Sequence, residues 1–378
     1  MNKTDKLKLT SVNLKGYKSI GSYSQTIEFQ DITIFLGANG SGKSNLVSFF
    51  SMLNFMMSGS LQTYIGENGS ASSFLHYGPK KTSRIEAEIT FTSAMHTDIY
   101  KFILSHAAGD TLIFNEETLT WSSVKKIKKP FKVTLDPGLK ESGLYNKTKE
   151  KNANVERVIF KLLKNCQVFQ FHDTSKSSRI RNNGYVNDNR FLRGDGGNLA
   201  AFLYMIKVKN EKHYERILRY IRQIMPQFGN FSLNPSKLNE DYISLNWTEK
   251  TSDYLFGPHQ ISDGSLRFIC LATLLLQPSD TLPSVIILDE PELGLHPSAI
   301  ALLAGMARTA SKHCQVIMAT QSPRLIDEFE ANNIVIVERE YSKDYSEYKV
   351  LSEDKLEEWL ERYSLSELWE KNVLGGQP

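Results

Sequence analysis

The order of apolar and polar positions predicts a chain of short strands and helices. Six segments in the first third of the chain have the length and residue types of strands: Leu7–Leu14, Thr26–Phe29, Ile32–Leu36, Arg84–Thr92, Tyr100–Leu104 and Thr111–Asn115. In Arg84–Thr92 the apolar residues fall at every second position, which is typical of a strand with one buried face. The last three segments therefore predict an antiparallel sheet. The Gly- and Ser-rich segment 58–73 predicts a mobile loop.

The rest of the chain alternates amphipathic helices with fully apolar strands. Helical spacing of apolar residues occurs in Val155–Lys164, Asn198–Met205, Glu211–Met225, Phe268–Leu276 and Ser298–Ser311. Val285–Leu288 and Gln315–Thr320 are continuous apolar runs, as expected of parallel strands that are covered on both faces. Tyr242–Trp247 predicts one further strand. This mixture predicts an α/β fold.

A glycine-rich segment between the third strand and the first helix has the pattern of a phosphate-binding loop. Residues 37–44 fit G-x-x-x-x-G-K-[ST], and the flanking strand and helix are in the right places. In this geometry backbone N–H groups and the helix N-terminus surround a polyphosphate, Lys43 reaches the β- and γ-phosphates, and Ser44 ligates Mg²⁺. The candidate phosphate-binding residues are Gly37, Asn39, Gly40, Ser41, Gly42, Lys43, Ser44 and Asn45.

Two further segments carry groups that suit nucleotide chemistry. Asp289 and Glu290 follow the apolar run Val285–Leu288, so they lie at the edge where open α/β sheets bind ligands. We expect Asp289 to belong to the Mg²⁺ shell, and Glu290 to orient and deprotonate the attacking water. Ser262 and Gly264 open an apolar helix, which is a second anion-binding arrangement.

Two basic features have alternative interpretations. Lys18, in a turn shortly before the loop, either touches the nucleotide or is a solvated turn lysine. The segment 122–152 breaks the periodic pattern and is rich in lysine. It is either a solvated excursion or a surface that contacts the phosphate backbone of DNA or RNA.

Composition limits the other possibilities. The 378 residues are 40% hydrophobic and 23% charged, with a net charge of +3, so any basic surface must be local. Cys166, Cys270 and Cys314 show no paired spacing, which predicts buried thiols rather than a metal site. The N-terminus has no apolar leader, and no apolar stretch is long enough to span a bilayer. We expect a cytoplasmic protein with no membrane role of its own.

Taken in order, these motifs resemble those of ABC-type ATPases. The branch is that of RecF, the SMC-like ATPases and the compact ATPases of prokaryotic phage-defence and overcoming-lysogenization-defect systems. The segments that carry the resemblance are Gly16–Ile20, the phosphate loop, Phe171–Ser175, Gly194–Leu199, Ser262–Gly264, Asp289–Pro291, Gly294–Pro297, Thr320–Pro323 and Glu367–Gly376.

The resemblance assigns roles to residues whose chemistry is otherwise open. It implies that Ser262 and Gly264 complete the active site of a partner subunit. It places Gln321 where a switch histidine usually lies, so an amide would sense the γ-phosphate, and it places His296 where many relatives have Asp. Gln170 and His172 are alternative candidates for the Q-loop residue. We take His172 as the third candidate residue of the metal site, after Ser44 and Asp289.

The resemblance also implies an architecture and a function. We expect an ABC-ATPase head with a mixed sheet, an antiparallel β subdomain and a helical lobe. The predicted segments are 1–172 with the loop and antiparallel sheet, 173–260 as a helical lobe, 261–340 completing the ATPase core, and 341–378 as a C-terminal strand and helices. The expected ligands are ATP and Mg²⁺.

The leading hypothesis for the function is an ATPase that forms a homodimer on ATP and controls a separate effector in defence against phage or plasmids. No acidic nuclease cluster like the one fused to some relatives follows Val337, so we expect no nuclease centre in this chain. Any nuclease chemistry would belong to the separate effector. The alternative is a RecF-like DNA-binding ATPase in repair or recombination. A transporter ATPase is disfavoured by Gln321, whose amide does not titrate near neutral pH.

Overall fold

The computed structural model describes residues 6–123, 130–339 and 343–377. The chain forms two compact units, residues 1–167 with 331–378, and residues 168–330. These two units are defined by which residues pack together. They do not test the four segments predicted from the sequence, which stay a prediction. The mixed α/β architecture with several sheets confirms the predicted fold class.

The first unit contains a large antiparallel sheet, part of a second sheet and the helix that follows the phosphate loop. Its elements are β1 (Lys8–Lys15), β2 (Gln25–Glu28), β3 (Ile32–Leu36), α1 (Lys43–Met56), α2 (Leu61–Glu67), β4 (Arg84–Thr92), β5 (His96–Ala107), β6 (Thr111–Ser123), β7 (Phe131–Thr134), α3 (Leu144–Lys147), α4 (Asn154–Lys164), β17 (Ile334–Glu338), β18 (Glu347–Val350), α10 (Glu353–Leu360) and α11 (Leu365–Glu370).

The antiparallel sheet of this unit has the strand order β2-β1-β4-β5-β6-β7. Its alternating pattern buries one face, and α1 packs there: the rings of Phe49 and Phe102 stack with their centroids 6.4 Å apart. Strands β5 and β6 are longer than predicted, because they pair over their whole length. Strand β3, whose five residues are all buried, pairs in parallel with β17, and β17 pairs antiparallel with β18.

The lysine-rich segment 122–152 is folded in the part that the structure describes. Strand β7 pairs with β6, and the buried Glu117 carboxylate accepts hydrogen bonds from Ser142 Oγ at 2.5 Å and from the Gly143 N–H at 2.9 Å. Burial raises the pKa of Glu117. Lys125, Lys126, Lys128 and Lys129 lie outside the described residues.

The loop predicted for residues 58–73 is wrong, because this segment holds α2 and a short 3₁₀ helix over Ala71–Phe74. The reason lies far away in the sequence. Glu141 accepts hydrogen bonds from the N–H groups of Leu61 and Gln62 at 2.7 and 3.0 Å and so caps the helix. Tertiary contacts therefore override the loop-like composition.

The second unit contains a short parallel sheet, five α-helices, two 3₁₀ turns (one of them over Arg179–Arg181) and two small antiparallel sheets. Its elements are β8 (Cys166–Phe169, at the boundary of the units), β9 (Gly184–Tyr185), α5 (Leu199–Lys209), α6 (Glu211–Ile224), β10 (Phe228–Ser232), β11 (Pro235–Ser236), β12 (Asn239–Ile243), β13 (Asn246–Glu249), β14 (Ser252–Phe256), a 3₁₀ turn over Pro258–Gln260, α7 (Asp263–Leu276), β15 (Val285–Asp289), α8 (Pro297–Ala310), β16 (Gln315–Thr320) and α9 (Pro323–Ile326).

Strands β15 and β16 are parallel, with every residue buried, as the apolar runs predicted. The lobe predicted as helical also carries two three-stranded sheets, β10-β13-β14 and β11-β12-β9, in place of one strand at 242–247. All three cysteines are buried, as predicted. Within the described ranges, no helix combines the length and apolar character that crossing a membrane requires.

Candidate nucleotide-binding and hydrolysis site

The phosphate loop requires glycine for steric reasons. A Cβ on Gly37 would lie 2.2 Å from the Val337 carbonyl oxygen, and one on Gly42 would lie 2.4 Å from Ser346 Oγ. Gly40 and Gly42 also have positive φ angles of 79° and 118°, which residues with a side chain rarely adopt. The loop backbone therefore lies against β17 and against Ser346, which directly precedes β18, in a conformation to which glycine is suited.

Lys43 lies within the loop. Its side chain is 5% exposed, and Nζ donates hydrogen bonds to the carbonyls of Gly37 at 2.6 Å and Ala38 at 2.9 Å. Residue Lys43 begins α1, so its charge sits at the positive end of the helix. A buried ammonium group beside helix N–H groups is suited to a polyphosphate.

The loop is supported by residues from β18 and the turn after β1. Ser346 Oγ donates to the Ser41 carbonyl at 2.5 Å and lies 2.8 Å from Ser19 Oγ, from whose hydroxyl it can accept, and Tyr348 OH donates to the Gly42 carbonyl at 3.1 Å. Asn45 Nδ2 donates to Ser19 Oγ at 2.7 Å, whereas Ser44 is exposed at the helix start. The supporting contacts leave the Ser44 hydroxyl in position for an incoming group.

Lys18 contacts helix α1 through Ser48. Its Nζ donates to Ser48 Oγ at 2.6 Å and lies 5.0 Å from the centroid of the Phe74 ring. Burial lowers the pKa of Lys18, and its φ of 46° is left-handed. The role of Lys18 in binding the nucleotide stays a prediction.

In the second unit, both Q-loop candidates contact Asp289 at the end of β15. Gln170 Nε2 donates to Asp289 Oδ2 at 3.1 Å, and His172 Nε2 lies 2.8 Å from the Asp289 carbonyl oxygen. A carbonyl can only accept, so His172 Nε2 carries the hydrogen and Nδ1 is the nitrogen left for a ligand. Within the described residues, no group of three or more His, Cys, Asp or Glu side chains is arranged to hold a metal ion.

Glu290 has a strained backbone. Its φ is 42°, a left-handed value that costs a non-glycine residue on the order of 1–3 kcal/mol and that clusters at functional sites. Hydrogen bonds hold this conformation, from the Glu290 N–H to the Ala319 carbonyl at 2.8 Å and from the Leu293 N–H to the Glu290 carbonyl at 3.1 Å. The backbone of Glu290 is therefore held at the sheet edge by β16.

Glu292 was not predicted from the sequence, although it is buried two residues beyond Glu290. The hydroxyl of Thr320 donates to its carboxylate and joins the ends of β15 and β16. Burial raises the pKa of Glu292, and the nearby Glu290 charge adds to this. Gln321 follows Thr320 and is partly exposed. The acid-Pro-acid pattern at 290–292 is the signal that could have identified Glu292.

Helix α7, which Ser262 and Gly264 open, contacts the loop after β15 at two glycines. A Cβ on Gly264 would lie 2.5 Å from the Gly294 carbonyl oxygen, and Gly294 has a φ of 72°. Ser262 caps α7, because its Oγ accepts from the Ser265 N–H at 3.3 Å, and its side chain is exposed. His296 plays the same role for α8, with Nδ1 accepting from the Ser298 N–H.

Two arginines that the sequence did not reveal hold this arrangement. Arg181 is 5% exposed and donates to the carbonyls of Pro258 and Ile261 and to Asp263 Oδ1, which lowers the pKa of Asp263. Arg267 donates to three carbonyls, and these belong to Phe171 at 3.2 Å, His172 at 2.9 Å and Leu293 at 3.1 Å. Both contacts join segments far apart in the sequence, so no local pattern marks them.

The family model described as "AAA domain, putative AbiEii toxin, Type IV TA system" matches residues 32–327. The match runs from the strand before the phosphate loop to the segment after Gln321. The chain belongs to the AAA_21 family. The description of this family as an AAA domain supports the ATPase chemistry that the motifs predicted. The comparison with curated proteins returned no match.

The fold is similar to solved SMC head domains. The first is the SmcHead bound to the C-winged helix domain of ScpA, with a TM-score of 0.59, 15% identity, and coverage of 93% of this chain and 99% of that one. The second is the Smc head with an extended coiled coil bound to the C-terminal domain of ScpA from Pyrococcus furiosus, with a TM-score of 0.57, 14% identity, and coverage of 94% and 99%. A third, from Pyrococcus yayanosii, has a TM-score of 0.53, 11% identity, and coverage of 94% and 99%. At these identities the likeness establishes the fold, which is that of an SMC-type ABC-ATPase head.

Proposed function

We propose that this protein binds and hydrolyses ATP, dimerises on ATP, and uses that dimerisation to control a partner effector in anti-phage or anti-plasmid defence. The observation that carries the proposal is the phosphate loop, whose glycines are sterically required and which encloses the Lys43 ammonium group. The AAA_21 membership supports the defence context, because that family's description names toxin systems. The ScpA-bound SMC heads support control through a separate protein.

In this proposal each side chain has one task. Lys43 neutralises the β- and γ-phosphates, Glu290 orients and deprotonates the attacking water, and Gln321 senses the γ-phosphate. Ser44 and Asp289 would hold Mg²⁺, with His172 nearby, because hydroxyl and carboxylate oxygens are ligands that Mg²⁺ prefers. That ion would neutralise charge on the phosphates.

Ser262 and Gly264 would act on the nucleotide of a second subunit. Ser262 is exposed and Gly264 is half-buried at the start of α7, and the exposed Ser262 suits contact with another chain. Two subunits related by a two-fold axis would then form two identical composite sites. Each site takes Lys43 and Glu290 from one chain and the Ser262 loop from the other.

Mixing two inactive variants tests this arrangement. Lys43→Ala should lose ATP binding, and Ser262→Arg should bind ATP as a monomer but neither dimerise nor hydrolyse. A mixed dimer contains one site with both defects and one with two intact halves, so mixing should restore ATP-dependent dimerisation and part of the hydrolysis. ATPase rate and dimer fraction are measured against the mixing ratio. Full activity of Ser262→Arg alone, in a protein that stays monomeric with ATP, would contradict the shared site.

A second candidate is a RecF-like ATPase that binds DNA. The observation in its favour is the exposed cations of the excursion, where Lys149 Nζ lies 4.3 Å from the centroid of the half-exposed Tyr145 ring. Cations beside exposed rings suit single-stranded nucleic acid. Binding of DNA with a steep log–log dependence on salt would favour this candidate.

A further inference from the structure

A large cavity adjoins the phosphate loop within the first unit. Its volume is about 810 Å³, which lies in the range of small-molecule sites. One wall is the backbone of the loop at residues 38–41, and the others are Tyr77, Arg339 and the segment 372–377. A ligand whose phosphates occupy the loop would therefore have space beside it for its remaining part.

The wall formed by residues 372–377 is bound to the loop itself. The Ala38 N–H donates to the Gly376 carbonyl at 2.9 Å. Gly375 and Gly376 have positive φ angles of 79° and 81°, and a Cβ on Gly376 would lie 2.9 Å from Ile336 Cγ2. The preceding Trp369 is buried, so the wall is anchored in the core of the unit. The cavity wall is therefore a defined part of the fold. It brings the segment 372–377 against the phosphate loop, which lies more than 300 residues earlier in the chain.

Two non-glycine residues of this cavity have strained backbones. Tyr77 and Asn372 have φ angles of 53° and 55°, and they belong to a set of six such residues in the described part of the chain that also includes Glu290. Strain of this kind persists where surrounding contacts impose it, and it clusters at functional sites. Tyr77, which lines the cavity, is 56% exposed.

The cavity carries planar and polar groups that suit a nucleoside. Arg339 Nη2 donates to Tyr77 OH at 2.9 Å, which brings a phenol ring and a guanidinium plane together. Both groups stack on nucleobases. The side-chain amides of Asn372 and Gln377 and the carboxylate of Glu338, all at the cavity, can hydrogen-bond base edges and ribose hydroxyls.

We propose that this cavity holds the base and ribose of the nucleotide whose phosphates bind the loop, with Tyr77 as the stacking residue. The proposal rests on the proposed function, because it requires a nucleoside triphosphate on the loop. It goes further, since it assigns base recognition to residues outside the phosphate-binding motifs and makes the segment 372–377 part of the nucleotide site.

Comparing ATP with inorganic tripolyphosphate tests the proposal, since tripolyphosphate has phosphates but no nucleoside. The dissociation constants of both are measured by calorimetry in the full chain with Mg²⁺. We expect the parent to bind ATP more tightly than tripolyphosphate. Tyr77→Ala should weaken the binding of ATP roughly 5- to 150-fold, the range for losing one stacked base, and leave that of tripolyphosphate unchanged. Tyr77→Phe should retain ATP affinity, because the ring is preserved.

Control variants separate this proposal from the one on which it rests. Tyr254→Ala removes an exposed tyrosine on β14 that has no part in either proposed site and should leave both constants unchanged. Lys43→Ala should lose both ligands. Unchanged ATP affinity in Tyr77→Ala, or equal loss of ATP and tripolyphosphate, would overturn the nucleoside site while the ATPase stands. A parent that binds neither ligand would overturn both proposals.

Discussion

Replacing Asp98 by asparagine should remove a pH-dependent loss of folding stability that this buried carboxylate causes in the antiparallel sheet. Asp98 lies on β5 opposite Phe91 and Trp121, and its side chain is 1% exposed. Neither carboxylate oxygen has a hydrogen-bond partner among the described residues. Burial raises the pKa of Asp98 from its ordinary value of 3.8 to about 6, although the nearby His96 acts in the opposite direction. The folded state therefore disfavours the ionised form.

The sign and size of the effect follow from these two pKa values. Between about pH 4 and pH 6 the folded carboxyl keeps a proton that the unfolded one has lost, so the free energy of unfolding falls as pH rises through this window and is constant above it. The difference between the two pKa values corresponds to about 3 kcal/mol. Because the neighbouring turn residues Ala94 and Met95 are exposed, solvent screening reduces the expected cost to about 1–2 kcal/mol.

Urea unfolding followed by circular dichroism at pH 5 and pH 8 measures the effect. Asp98→Asn keeps the shape of the side chain and removes its charge, so its stability relative to the parent should be about 0.5–1 kcal/mol greater at pH 8 than at pH 5. Asp31→Asn, at an exposed aspartate on the same unit, is the control and should not show this increase. A difference between Asp98→Asn and the parent that is the same at both pH values would refute the reasoning.

Two further predictions concern the chemistry and the basic excursion. Glu290→Gln should bind ATP normally but lower the rate of phosphate release more than about 100-fold and accumulate the ATP-bound dimer, because only the water-activating group is lost; turnover close to that of the parent would exclude Glu290 as the base. Replacing the lysines of the 125–132 cluster with glutamine should leave basal hydrolysis within about two-fold and weaken binding to nucleic acid or an acidic partner, with a smaller salt dependence. A large fall in basal hydrolysis with the fold intact would show that this segment reaches the ATP site.

The sequence alone determined the features that depend on neighbouring residues. The phosphate loop was predictable because its glycines, lysine and helix start lie within eight residues, where backbone conformational preference sets the geometry. The buried strands β3, β15 and β16 were predictable because a continuous apolar run fits a strand covered on both faces. The fold class followed from the order of such elements.

Only the tertiary structure decided the features that join distant segments. Glu141 turns the loop-like 58–73 segment into a helix, Arg267 holds the carbonyls beside Asp289, and Gly376 bonds to the phosphate loop. Each depends on a contact between residues that are far apart in the chain, and such contacts leave no periodic trace near either partner. Local composition describes the backbone's preferences, whereas packing decides which buried N–H and carbonyl groups must find each other.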